Sequence, residues 1–118
     1  QLSGGMRQRA ALLRTFLGSQ GVVLLDEPFS ALDALTKREI HRWYMGMMDQ
    51  LKLTTLFITH DIDEAILLSD RIYILAGSPG CIAAELTIQP SRPRTVDFAL
   101  SGVFLDYKKQ ILSLLGQS

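Results

Sequence analysis

The 118-residue sequence predicts an α/β fold with a mainly parallel sheet, and two observations carry that prediction. Short apolar or β-branched runs at Val22–Leu25, Thr54–Thr59 and Arg71–Leu75 alternate with stretches of helical periodicity. The first run is continuous and bounded by turn residues, as a strand buried on both faces of a parallel sheet would be. Alternation of this kind builds layered α/β architectures.

The elements follow in order. In Met6–Leu17, the residues Met6, Ala10, Leu13 and Leu17 recur at spacings of four, three and four and mark a helical stripe, with Arg7 and Arg14 off it. The turn Gly18-Ser19-Gln20-Gly21 ends that helix and leads into the strand Val22–Leu25. Thr36-Lys37-Arg38-Glu39 reads as a capping box opening a second helix, whose wide apolar stripe is Ile40, Trp43, Tyr44, Met47, Met48 and Leu51. His41 is expected on its surface. Thr54–Thr59 is β-branched and aromatic, hence a strand; Asp61–Leu68 is a short helix and Arg71–Leu75 a third strand. After the turn cluster Ala76–Gly80, Ile82, Ala84, Leu86 and Ile88 alternate with Cys81, Ala83, Glu85 and Thr87, the pattern of a half-exposed strand. Pro90-Ser91-Arg92-Pro93-Arg94 reads as a stiff surface loop. A last helix, about Gly102–Leu115, turns Phe104, Tyr107, Ile111 and Leu114 inward.

Composition narrows the function classes. The length gives room for one domain burying about two-thirds of its unfolded surface. A hydrophobic content of 47% with 20% charged residues is that of a globular chain, not a disordered one. Twelve Lys and Arg balance twelve Asp and Glu, which argues against nucleic acid as a partner. The single Cys81 excludes an internal disulfide and fits a reducing compartment. No apolar run approaches the roughly 20 residues of a bilayer span, and no signal peptide is recognised, so a cytoplasmic location is expected.

Three short motifs carry chemistry. "VVLLDEP" ends an apolar strand in Asp26 and Glu27, placing two carboxylates at a C-terminal sheet edge, where open α/β sheets bind ligands. The two point to opposite sides, because successive strand residues do, so one can serve a metal while its neighbour addresses a different atom. "THD" puts His60 at the end of a second apolar strand and so at the same edge. "LSGGM" opens a helix with Ser3 as N-cap, while Gly4 and Gly5 leave the backbone open to a phosphate. Each motif alone has a bland reading: a polar strand end, a polar cap, plain helix capping.

Together, "LSGGM…VVLLDEPFSALD…ITHD" resembles the nucleotide-binding subunit of ATP-binding cassette (ABC) transporters from Gln1 to about Ile88. The resemblance implies a three-layer P-loop NTPase core, of which residues 1–118 are the C-terminal portion. Its parts are a signature helix at 3–17, Walker B and D-loop at 22–33, an H-loop at 54–61, and C-terminal strands and helix at 71–115. It implies that Ser3, Gly4 and Gly5 touch the γ-phosphate of ATP held by the opposite subunit of a homodimer. Met6 departs from the usual Gln of that motif. It further implies that Asp26 holds Mg²⁺, Glu27 is the general base, Asp33 crosses the dimer interface, and His60 contacts the γ-phosphate and the attacking water.

The phosphate-cradling G-x-x-x-x-G-K-[ST] loop does not occur in these 118 residues, and in the family it lies upstream, with the strand that leads into it. That strand would sit between those matching Thr54–Thr59 and Arg71–Leu75. Its loss is expected to leave a gap, answered by dimerisation, strand exchange, a rearranged sheet or direct pairing of the two strands. The segment alone is expected neither to bind nor to hydrolyse ATP. "DEPFSALDALTKREIH" and "THDIDEAILLSDRIYIL" look like the importers of nitrate, sulfonates, taurine or thiamine precursors. Such a subunit docks on membrane permease subunits at the inner face of the membrane and works indirectly with a substrate-binding protein. The alternative is a non-enzymatic module pairing with an intact ATPase, which has no chemical need for Asp26, Glu27 and His60 together.

Overall fold

The computed structural model describes residues 4–19, 21–76, 80–89 and 94–116. In chain order the elements are α1 (Gly4–Gly18), β1 (Val22–Asp26), α2 (Ala34–Leu51), β2 (Thr54–Ile58), α3 (Ile62–Leu68), β3 (Arg71–Ala76), β4 (Cys81–Thr87), α4 (Val96–Ala99) and α5 (Gly102–Leu114). This is the expected α/β order with one short helix, α4, added. The chain divides into two compact units, Gln1–His60 and Asp61–Ser118. Each has its own two-stranded sheet: β1 and β2 run parallel in the first, β3 and β4 antiparallel in the second. Among the described residues the strands thus form one parallel pair and one antiparallel pair rather than the expected mainly parallel sheet.

In the first unit α1 buries Gly5, Leu12 and Phe16, not the predicted stripe; Met6 and Leu17 are exposed. The helix carries two overlapping apolar rows. The buried row has Arg9 at its second position, which hides it from a hydrophobicity count. The Arg9 guanidinium lies 6.0 Å from the centre of the Trp43 ring, so a long cation completes an apolar stripe. Phe16 stacks on Trp43 at 6.3 Å and meets Tyr44 at 6.2 Å, fastening α1 to α2. Along α2 the buried residues are Ile40, Tyr44 and Met48, one turn apart. Helix α2 starts at Ala34, with Asp33 rather than Thr36 as its N-cap. His41, expected on the surface, is half-buried with its ring edge-on to Phe29 at 4.8 Å.

Strand β1 is buried on one face only. Val23 and Leu25 are inside, but Val22 is 69% and Leu24 66% exposed. Leu24 pairs in register with Leu56 of β2, itself 57% exposed. Both faces are equally apolar in sequence, so the run gives no sign of which one is covered. Helix α2 covers the inner face, where Tyr44 meets Phe57 at 6.3 Å and the Thr55 hydroxyl donates to Met48 Sδ at 3.1 Å.

In the second unit the core gathers Ile66, Ile72, Ile74, Ile88, Phe98, Phe104 and Ile111. A register shift in the β3–β4 hairpin pairs Ile74 with Ala84 but Leu75 with Ile82. The extra residue, Ala83, reverses the faces of β4 on its Ile82 side, so Ile82 is exposed beside Leu75, which lies on the outer face of β3, although the alternation predicts Ile82 inside. Thr95 and Ser101 cap α4 and α5, accepting from the backbone N–H groups of Phe98 and Phe104, each at 3.2 Å. Leu114, expected inside, is exposed. Arg94 is buried rather than on a surface loop. Its guanidinium donates to the carbonyls of Ser69 at 2.9 Å, Ile88 at 3.1 Å and Leu67 at 3.4 Å. Arg92, with most of the proline-rich loop, lies outside the described residues, as does the centre of the Ala76–Gly80 turn.

Candidate functional site

A parallel pair sends both strands toward the same edge. With Asp26 opposite Ile58 in register, β1 and β2 end together, and the residues just beyond them, Glu27 and His60, are brought within reach across 33 positions of sequence. Glu27 Oε1 lies 2.6 Å from Nδ1 of His60. A carboxylate only accepts, so this contact assigns the Nδ1 proton to the histidine and leaves Nε2 as the ring's other polar atom. The His60 side chain is 87% exposed and that of Glu27 30%, so the pair sits at an open edge rather than in a sealed core.

The strand does not continue through Glu27. Its backbone turns left-handed, with φ 50°, while its N–H still donates to the Ile58 carbonyl at 2.7 Å. The expected alternation of Asp26 and Glu27 is therefore not the geometry that separates them: Asp26 closes the strand, and Glu27 begins the loop. For a residue with a side chain such a conformation costs about 1 kcal/mol and persists only where its surroundings hold it. Here they do. Ser30 donates back to the Glu27 carbonyl from both its N–H at 3.4 Å and its hydroxyl at 3.2 Å. Phe29 is fully buried against Tyr44 at 5.6 Å. The Gln8 side-chain amide of α1 donates to the Pro28 carbonyl.

Asp26 is exposed at the strand end. No cluster of three His, Cys, Asp or Glu side chains among the described residues could cage a metal. A single free carboxylate suits Mg²⁺, which takes one or two protein oxygens and completes its shell with water and phosphate. Asp33, expected at an interface, is engaged locally: it accepts from the Thr36 N–H at 2.8 Å and from the Thr36 hydroxyl at 3.1 Å. Those bonds, the backbone one foremost, hold its carboxyl below the ordinary value of 3.8. At the start of α1, Gly4 is exposed and Gly5 buried, while Ser3 lies outside the described residues. A Cβ on Gly4 would meet only Leu32, at an ordinary 3.8 Å, so no close protein packing there demands glycine. Gln8 and the buried Phe29 are the supports that residue-by-residue reading of the sequence missed. Gln8 follows Gly4 by one helical turn, which is the one signal that could have placed it near this edge.

No helix among the described residues is long and apolar enough to cross a membrane. The ABC transporter family model matches residues 1–30. The formylaminopyrimidine import ATP-binding protein ThiZ of Halalkalibacterium halodurans is 49% identical over 96 residues, covering 81% of this chain and 39% of that protein. The nitrate import ATP-binding protein NrtD of Synechocystis sp. is 40% identical over 121 residues, covering 98% and 46%. An aliphatic sulfonates import ATP-binding protein, SsuB 1 of Pseudomonas aeruginosa, is 45% identical over 94 residues, covering 80% and 38%. The chain thus spans about two-fifths of the length of these curated relatives. By the family match and by its similarity to these relatives over most of its length, the chain belongs to the ABC transporter family.

Proposed function

We propose that this segment belongs to the ATP-hydrolysing subunit of an ABC importer, of the nitrate, sulfonate, taurine or thiamine-precursor type. The observation that carries the reading is the 2.6 Å contact between Glu27 and His60 at the shared edge of two parallel strands. Glu27 acts as general base. One carboxylate oxygen holds His60, and the other receives a proton from the water that attacks the γ-phosphate. His60, oriented through Nδ1, presents Nε2 to the same phosphate. Asp26 would hold Mg²⁺, and the ion would neutralise charge that develops on the phosphates.

The start of α1, with Ser3, Gly4 and Gly5, faces the γ-phosphate of ATP bound by a second subunit, and Asp33 lies toward that subunit in a homodimer. The assembly docks on membrane permease subunits at the inner face and is served indirectly by a substrate-binding protein. The loop that cradles the β- and γ-phosphates comes from sequence outside these 118 residues, in a three-layer core that the segment completes. Without that loop the segment neither binds nor hydrolyses ATP.

The test is Glu27→Gln in the full-length subunit. Turnover is expected to fall by about 10²- to 10⁴-fold, with ATP affinity retained. Unchanged turnover in that variant overturns the assignment.

A further inference from the structure

We propose that Ser30 is a positioning residue for Glu27: its hydroxyl holds Glu27 in the backbone conformation from which the carboxylate meets His60. The inference rests on the reading of Glu27 as general base. Glu27 is left-handed, with φ 50°, although it carries a side chain and stands before Pro28. Both facts disfavour that geometry. A Cβ crowds its own backbone at positive φ, and a proline ring drives the residue before it toward extended backbone. Glu27 therefore has a competing conformation to relax into. Passing there turns its Cα–Cβ bond about the N–Cα axis by more than a right angle, and carries the carboxylate away from Nδ1 of His60, which it meets at 2.6 Å.

Ties on both sides of the Cα oppose that relaxation. On the amino side the Glu27 N–H donates to the Ile58 carbonyl at 2.7 Å. On the carboxyl side the Glu27 carbonyl accepts from the Ser30 hydroxyl at 3.2 Å and from the Ser30 N–H at 3.4 Å. With both flanking peptides held, φ and ψ are set, and the direction of Cβ follows. Every residue but proline brings an N–H to position 30, whereas the second and closer donor needs a hydroxyl on Cβ. Phe29 gives Ser30 a fixed base: its ring is fully buried, edge-on to His41 at 4.8 Å and to Tyr44 at 5.6 Å. Ser30 itself is exposed, so removing its hydroxyl should leave the core and the fold intact while Glu27 spends part of its time relaxed. Turnover then falls with the fraction of molecules that keep the competent conformer.

The experiment uses the full-length subunit and compares kcat and KM for ATP in Ser30→Ala, Ser30→Thr and Glu27→Gln. Alanine removes the hydroxyl and leaves the N–H; threonine keeps both. Ser30→Ala is expected to lower kcat about three- to tenfold with KM within about twofold, and Ser30→Thr to stay within about twofold of the parent. ATP-dependent self-association, measured by sedimentation in the Glu27→Gln background, should be unchanged by Ser30→Ala, because the hydroxyl acts on its own subunit. A kcat within about twofold of the parent in Ser30→Ala overturns the proposal. So does an equal loss in Ser30→Thr, and so does weakened self-association, which assigns Ser30 to a subunit interface instead. A Ser30→Ala protein that unfolds, as circular dichroism would show, overturns it too. Turnover retained in Glu27→Gln alone marks the failure of the base assignment, read without reference to Ser30.

Discussion

The two units of the chain use the same parts, a two-stranded sheet and packed helices, to opposite ends. In the first, the strands run parallel, so both finish at one edge and Asp26, Glu27 and His60 collect there from distant sequence. In the second, β3 and β4 run antiparallel, so neighbouring strand ends point opposite ways, and among the described residues no comparable gathering arises. Their polar groups differ accordingly. Asp26 and His60 are exposed, whereas Arg94 is buried and committed to three backbone carbonyls. Strand direction decides where side chains meet, and burial decides whether they are left available for a ligand.

That contrast can be broken by measurement. Native-state hydrogen exchange reads the amides of each unit separately. The largest effect expected is from Phe29→Ala, which empties a fully buried site and should destabilise the first unit by about 3–5 kcal/mol while leaving protection of α5 unchanged. Equal loss in both units would mean that they unfold as one block. Next comes Arg94→Met, which leaves the Leu67, Ser69 and Ile88 carbonyls without their donor; about 2–3 kcal/mol should be lost, and in the second unit only.

Smaller still is Asp33→Ala, read as faster exchange in the first turn of α2. Because the folded carboxyl titrates below 3.8, its stabilisation is complete above that pH and disappears as pH falls through the depressed value. The difference between parent and variant should therefore close in strong acid. A gap that persists there would rule out the ionised cap. The smallest effect is Lys108→Ala. Its pair with Asp63 spans 2.9 Å between side chains 38% and 51% exposed, so under about 1 kcal/mol is expected, vanishing in high salt.

Much of this was legible beforehand, and the misses share a cause. "VVLLDEP" and "THD" placed their polar residues correctly because a strand end is marked by a sharp change from apolar to charged. The α1 stripe was misplaced because Arg9, counted as polar, packs its cation on Trp43. Thr36 and Asp33 are both good caps three residues apart, and sequence does not choose between them; Asp33 takes the role and Thr36 becomes its donor. Ile82 shares the apolar alternation of Ala84 and Leu86 yet faces out, because a bulge between them, which reverses the faces on its far side, has no signature in an alternating run. Arg94 was read as a surface charge because its acceptors are carbonyls, which every sequence possesses and none advertises.

The left-handed backbone at Glu27 has one further consequence, for anyone who would improve this protein. Judged on backbone fit alone, glycine or asparagine belongs at that position, and a screen that rewards thermal resistance should find them. Each would relieve about 1 kcal/mol of conformational cost and remove the carboxylate that meets His60. On the proposed reading of Glu27 as general base, selection for robustness and selection for turnover pull on this one residue in opposite directions, and a more durable variant recovered there should be the one that no longer works.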